Sequence, residues 1–343
     1  DLPAARQMMA FASHSSKHFC CYCGLSSDDM ENLDMEKWPP GVRSREEYVK
    51  KAEAWKAASP AEQKKLFEAH GIRYSELLRL PYWNPISYVV IDSMHGILLG
   101  ILRHHCRVLW GMSVDVADGD GSRPNNPTKQ SAPSAETMSE AWVILKQGTD
   151  AELDALTGAV LKELCIQSQI VTGDRKRQLK AALKEHVRPP KKTAVLGKKM
   201  LEAIQNDIQN TSLPSWVGRI PGNLGSASHG TLSADEWRSA CTINLVTSLV
   251  RIWGPFPAHT RERQMLDNFM HLVNATKLAN MRVLTAERIS EYSVSMLEYL
   301  RGMLKLYPHT SLLPNHHISL HFPPFLADFG PTNGWRCFPF ERY

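Results

Sequence analysis

The chain has 343 residues, of which 43% are hydrophobic, 22% charged and 8% aromatic, an ordinary globular composition that excludes disorder throughout. No run approaches the roughly 18 consecutive apolar residues of a membrane helix, and the opening DLPAARQMMA lacks the charged and apolar blocks of a signal peptide, so a soluble protein with no membrane partner is expected. The net charge of +5, from 40 Lys+Arg against 35 Asp+Glu, is a mild basic excess, and seven scattered cysteines are too few for a disulfide scaffold and are expected as thiols available to metal.

The length predicts two or three cores. The start at Asp1 without an initiator Met, and the stop at Glu341-Arg342-Tyr343, make the chain read as a fragment. Pro3 suits the first turn of a helix, which is expected over 3–18 with His14 and His18 one above the other. Between Arg45 and His70 an Ala/Glu/Lys-rich run predicts a polar helical pair, the second helix opened by Ser59-Pro60 with Glu62 three residues on. Residues 73–110 are more apolar, and Met94, Leu98, Ile101 and Leu102 recur as on a buried helix, interrupted upstream at Pro81 and Pro85. The one candidate β-segment is Tyr88–Ile91. Residues 113–140 are dense in Gly, Pro, Ser, Asp and Asn and predict a flexible linker. Helical patterning resumes at Ala141 and breaks at Arg188-Pro189-Pro190. A further helical region covers 199–307, punctuated by Pro214, Pro221 and Pro255, with starts at Ser233 and Thr285, of which only Ser233, followed by Glu236, completes a capping box. The fold class expected is mainly α.

Four constellations can carry chemistry. Cys20 and Cys23 form a C-x-x-C, the spacing at which two thiolates on a tight turn share one tetrahedral zinc, although buried inert thiols read the same way. His316, His317 and His321 lie within six residues near the other end and can supply two nitrogen ligands, or can be solvated surface histidines. A basic run over 174–200 holds ten cations: Arg175, Lys176, Arg177, Lys180, Lys184, Arg188, Lys191, Lys192, Lys198 and Lys199. Arg177, Lys180 and Lys184 share a helical stripe suited to DNA phosphates. The two short amphipathic helices around Gly173 are similar to the SAP motif, a DNA-binding helix pair, with Leu161, Leu164, Ile170, Leu179 and Leu183 as its small core; an ordinary solvated helix pair is the competing reading. Asp92 and His95 form a D-x-x-H, whose histidine can be a hydrogen-bonded core residue, a metal ligand or an acid–base partner. Nothing resembles a P-loop, a G-x-G-x-x-G turn, a G-x-S-x-G elbow or an H-E-x-x-H zinc site.

Together, Asp1-Leu2-Pro3-Ala4, Cys20/Cys23, GIRYSELLRLPYWNP at 71–85, DSMHGILLG at 92–100 and WRCFPFERY at 335–343 resemble the transposases of CACTA-like elements. The resemblance implies a DDE catalytic core of RNase H-like α/β fold, split by a large helical insertion with zinc-binding elements. It divides the chain into a core segment (1–19) starting at the second catalytic acid, Asp1; a C-x-x-C and helical region (20–112); the linker (113–140); SAP-like DNA-binding helices (141–200); a helical insertion (201–315); and a return to the core (316–343) carrying the third acid, Glu341. The spacing is also similar to the V(D)J recombinase core, where a C-x-x-C follows the second Asp and a histidine pair precedes the Glu. This implies structural zinc on Cys20, Cys23, His321 and either His316 or His317. Two Mg2+ ions would perform strand cleavage and transfer, as in phosphoryl-transfer enzymes. The resemblance further implies a nuclear protein, transposon-end and target DNA as partners, homo-oligomers of the intact protein, and a first catalytic Asp upstream of this sequence. The alternative is a transposase-derived DNA-binding and zinc structural protein without catalysis.

Overall fold

The computed structural model describes residues 2–42, 44–112, 135–147, 150–168, 176, 179–180, 183, 195–225, 231–308 and 310–337. It is mainly helical, with two isolated β-bridges, Phe11 to Ile72 and Cys23 to Pro40, and no longer ladder among the described residues. The RNase H-like flanks implied by the resemblance therefore have no strand there. The chain divides into two compact units, one of 1–115 with 195–343 and one of 116–194.

In the first unit the opening helix is Leu2–Met9, shorter than the expected 3–18. It stops because Ala10 turns left-handed at φ 56, and Ala12 pairs instead with the carbonyl of Gly71 at 2.7 Å. His14 and His18 are consequently not stacked on one helix, and His18 Nε2 donates to the Glu68 carbonyl at 2.9 Å. The polar helical pair forms as Arg45–Ala57 and Pro60–His70. Ser44 Oγ accepts the Glu47 N–H at 3.1 Å, and the Glu62 carboxylate reaches back to the Ser59 N–H at 3.2 Å. A small core of Met9, Cys21, Tyr48, Ala52, Ile72, Leu78 and Val89 joins Arg45–Ala57 to the opening helix.

Tyr88–Ile91 is not a strand. Asn84 caps the short helix Pro85–Tyr88 by accepting the Ile86 N–H at 3.1 Å, and Val89 and Ile91 then enter the interior singly. The apolar run that follows is a wide, π-type helix over Met94–Leu102, continued by another at His105–Leu109. Met94, Leu98, Ile101 and Leu102 are all buried, as their spacing requires. They pack in the main core with residues of Leu245–Trp253, Arg261–Ala279 and Ala286–Leu306. The expected helix starts hold: Ser233 and Glu236 exchange both capping hydrogen bonds, at 2.7 and 3.4 Å, and Thr285 Oγ1 accepts the Arg288 N–H at 3.4 Å. Each such cap satisfies N–H groups that have no partner within the helix.

The second unit contains the helices Ala135–Gln147, Asp150–Ala155 and Gly158–Gln167. The first begins inside the stretch expected as linker, because Met138 and Ala141 are buried with Leu145 once the chain has passed Pro133. Leu161, Leu164, Leu179 and Leu183 share that core, as the SAP-like pattern predicts; Ile170 lies outside the described residues. Among the described residues no helix is long and apolar enough to cross a membrane.

Candidate metal centre

Cys20, Cys23, His317 and His321 converge, each offering one donor atom within 4.8 Å of the others. Cys20 Sγ is 3.4 Å from His321 Nε2, Cys23 Sγ is 3.3 Å from His317 Nε2, and the two Nε2 atoms are 3.1 Å apart. Zinc bonds of about 2.3 Å to sulfur and about 2.05 Å to nitrogen give tetrahedral edges of about 3.6 Å between S and N and about 3.3 Å between two N atoms. These three separations fall a few tenths of an ångström inside those edges, and all four donors lie within 4.8 Å of one another, close enough to surround one ion. The donor set of two thiols and two imidazoles suits zinc.

Local structure explains how each ligand arrives. The Cys23–Pro40 bridge and the Gly24 N–H to Pro39 carbonyl bond of 2.7 Å lay the C-x-x-C turn along residues 39–40. Gly24 is required there, because a Cβ would lie 2.9 Å from the Pro40 carbonyl oxygen and 3.1 Å from Pro39 Cβ. His317 belongs to the helix Pro314–Ser319, and His321 caps the next helix, Phe322–Phe329. Pro314–Ser319 sits close on the π-type helix because Gly100 has no side chain, and a Cβ would stand 2.5 Å from Asn315 Nδ2. Phe19, Tyr22 and Trp38 wall the site: Trp38 lies over both histidines at centroid distances of 4.5 and 5.4 Å, Phe19 is edge-on to His317 at 4.7 Å, and Tyr22 is 5.5 Å from His321. Trp38 is fixed by donating to the Asn32 carbonyl at 2.8 Å.

The electrostatics separate the three neighbouring cysteines. A hydrogen bond from Cys20 holds the Cys23 thiol below its ordinary value, against burial and with help from the Leu25 backbone, which favours its thiolate. Burial, added to by the charge of Cys20, pushes the Cys21 thiol up to about 12, which leaves it protonated and inert.

His316 is not part of the cluster. Adjacent residues on a helix point about 100° apart, and its ring turns into the main core, fully buried, with Nδ1 accepting the Leu313 N–H at 2.9 Å. Burial, with the neighbouring His104, pulls its pKa down to about 3. Asp92 is buried at the start of the π-type helix. Its Oδ2 accepts from His95 Nδ1 at 2.6 Å and His95 N at 3.0 Å, and its Oδ1 from Met94 N at 3.2 Å and Cys337 N at 2.9 Å. In the second unit Lys176 is exposed and Lys180 half-buried. Asp1, Glu341, Arg175, Arg177, Lys184, Arg188, Lys191 and Lys192 lie outside the described residues.

The aromatic wall and the docking of Cys337 on Asp92 were not foreseen. No sequence signal separates His317 from His316 as the partner of His321, because the helix that carries both ends at Ser319 and His321 lies in the turn beyond it. Compared with known families and with curated proteins, the chain matches no family model and no curated protein.

Proposed function

We propose that the chain is the C-terminal part of the catalytic region of a CACTA-like DDE cut-and-paste transposase, closed by a structural Cys2His2 zinc site. The observation that carries this reading is the convergence of Cys20 and Cys23 on His321 and His317 across 301 and 294 residues. That long closure is what the resemblance to the transposases and to the V(D)J recombinase core implies, whereas the ligand pairs of a zinc finger follow one another in a short local segment. Zinc there would hold the segment after Asp1 and the segment before Glu341 together, so that both acids can serve one pair of Mg2+ ions. The roles of Asp1, Glu341 and Mg2+ rest on the resemblance alone. The basic run with Lys176 and Lys180 would hold DNA by phosphate contacts, which weaken with salt through counterion release.

The test is fluorescence anisotropy of a labelled DNA duplex with the zinc-loaded chain, followed by Mg2+-dependent nicking of supercoiled plasmid. The reading predicts binding that falls steeply between ~50 and ~200 mM salt, with the log–log slope reduced by about 0.9 for each of Lys176→Ala and Lys180→Ala. Any nicking should vanish in Glu341→Gln. A flat isotherm at the lowest salt overturns the DNA reading. Binding without nicking fits both the catalytic reading, whose first Asp the resemblance places upstream, and the non-catalytic, transposase-derived alternative; nicking that Glu341→Gln abolishes decides for the catalytic one.

A further inference from the structure

We propose that Asp92, His95 and Cys337 form a second metal site, an open three-ligand Zn2+ site distinct from the Cys2His2 centre. One donor atom of each lies within 4.8 Å of the other two, and the three combine a carboxylate oxygen, an imidazole nitrogen and a thiol sulfur. Three protein ligands with a fourth position left for water is the arrangement of exchangeable and catalytic zinc sites, whereas four ligands make a closed structural one.

The triangle is assembled by the fold from residues 245 positions apart. Asp92 Oδ1 accepts the Cys337 N–H at 2.9 Å, which carries the Cys337 side chain to the start of the π-type helix. The carboxylate is anchored by the Met94 and His95 backbone N–H groups, so its position does not depend on a flexible side chain. Oδ2 and His95 Nδ1 are hydrogen-bonded at 2.6 Å, so the pair would have to open to the edge of about 3.3 Å of a tetrahedral zinc site as the ion replaces the proton between them. Binding of Zn2+ would displace that proton and the Cys337 thiol proton to solvent, as metal binding to such ligands requires. Burial is graded across the site: Asp92 is buried, while His95 and Cys337 are half-buried.

Titration of the chelator-stripped full chain with Co2+, read by the thiolate-to-cobalt charge-transfer band, tests the site. Wild-type protein should bind two equivalents, one tightly and one more weakly. Cys337→Ser should lose the weaker equivalent and keep the tighter, Cys23→Ser should do the reverse, and Asp92→Asn should weaken the second equivalent about 10–100-fold. Should Cys337→Ser fail to fold, as judged by thermal unfolding of the metal-free chain, His95→Gln at the same site carries the test. Saturation of wild-type protein at a single equivalent that Cys337→Ser keeps and Cys23→Ser loses overturns the proposal. So does a second equivalent that persists unchanged in both Cys337→Ser and His95→Gln. Because Cys23→Ser reports separately on the Cys2His2 centre, failure of either site is read independently of the other.

Discussion

His316 and His317 are neighbours with opposite roles, and acid separates them. His316 is fully buried and held neutral, with its pKa pulled down to about 3 against an ordinary value of 6.5. Between those values the unfolded chain binds a proton that the folded chain refuses, so the stability is complete above pH 6.5 and is lost as pH falls. At pH 5, about 1.5 units below the ordinary value, the loss is about 2 kcal/mol, at roughly 1.4 kcal/mol per unit. That corresponds to about 4 °C in Tm for a unit of this size. His105, also buried and also lowered, pushes in the same direction. In His316→Asn the amide oxygen can replace Nδ1 as acceptor for Leu313, so the variant should melt lower at neutral pH but lose less on acidification than wild type. It should also keep its zinc, whereas His317→Asn should lose it. Thermal unfolding at about pH 7.5 and about pH 5, with metal content measured on the same samples, is the assay. Acid release of zinc affects both proteins and cancels in the difference between them. Equal acid sensitivity in wild type and His316→Asn, or zinc lost from His316→Asn and kept by His317→Asn, would refute the assignment.

Gly100→Ala places a methyl against Asn315 and should cost about 1–3 kcal/mol by overpacking, with weaker zinc binding because Asn315 leads into the ligand helix; calorimetric Tm and a competitive chelator titration measure both. Trp38→Ala removes the wall over both ligand histidines and should speed extraction of zinc by a chelator about 10–100-fold, while the loaded protein still holds one ion. Cys21→Ala should leave the zinc content unchanged, and Cys21 in the native protein should resist alkylation at neutral pH, as peptide mass spectrometry would show.

Features written in local chemistry were legible before the fold was known. The reciprocal reach of Ser233 and Glu236 needs only three residues of spacing, and it forms as expected. The period of Met94, Leu98, Ile101 and Leu102 marks a buried face whatever the exact width of the helix. The candidate metal ligands were legible as two half-sites, since C-x-x-C and paired histidines each have a characteristic spacing, although their meeting is a tertiary event. Tyr88–Ile91 misled because a short apolar run looks the same whether it pairs in a sheet or passes singly into a core. The end of the first helix depends on Ala10 adopting a left-handed turn, a conformation that alanine gives no hint of. The choice of His317 over His316 is a matter of rotation about a helix axis, fixed by how Pro314–Ser319 lies against Gly100. The walls contributed by Phe19 and Trp38, and the link from Asp92 to Cys337, join residues far apart in sequence and become visible only in three dimensions.

The most direct test of the central claim is the zinc content of the purified chain after a chelator wash that strips open sites, measured by elemental analysis at known protein concentration. The account predicts one zinc per chain, lost together with thermal stability in Cys23→Ser and in His321→Ala. A washed chain without zinc, or one that keeps both its zinc and its stability after these two substitutions, would contradict it.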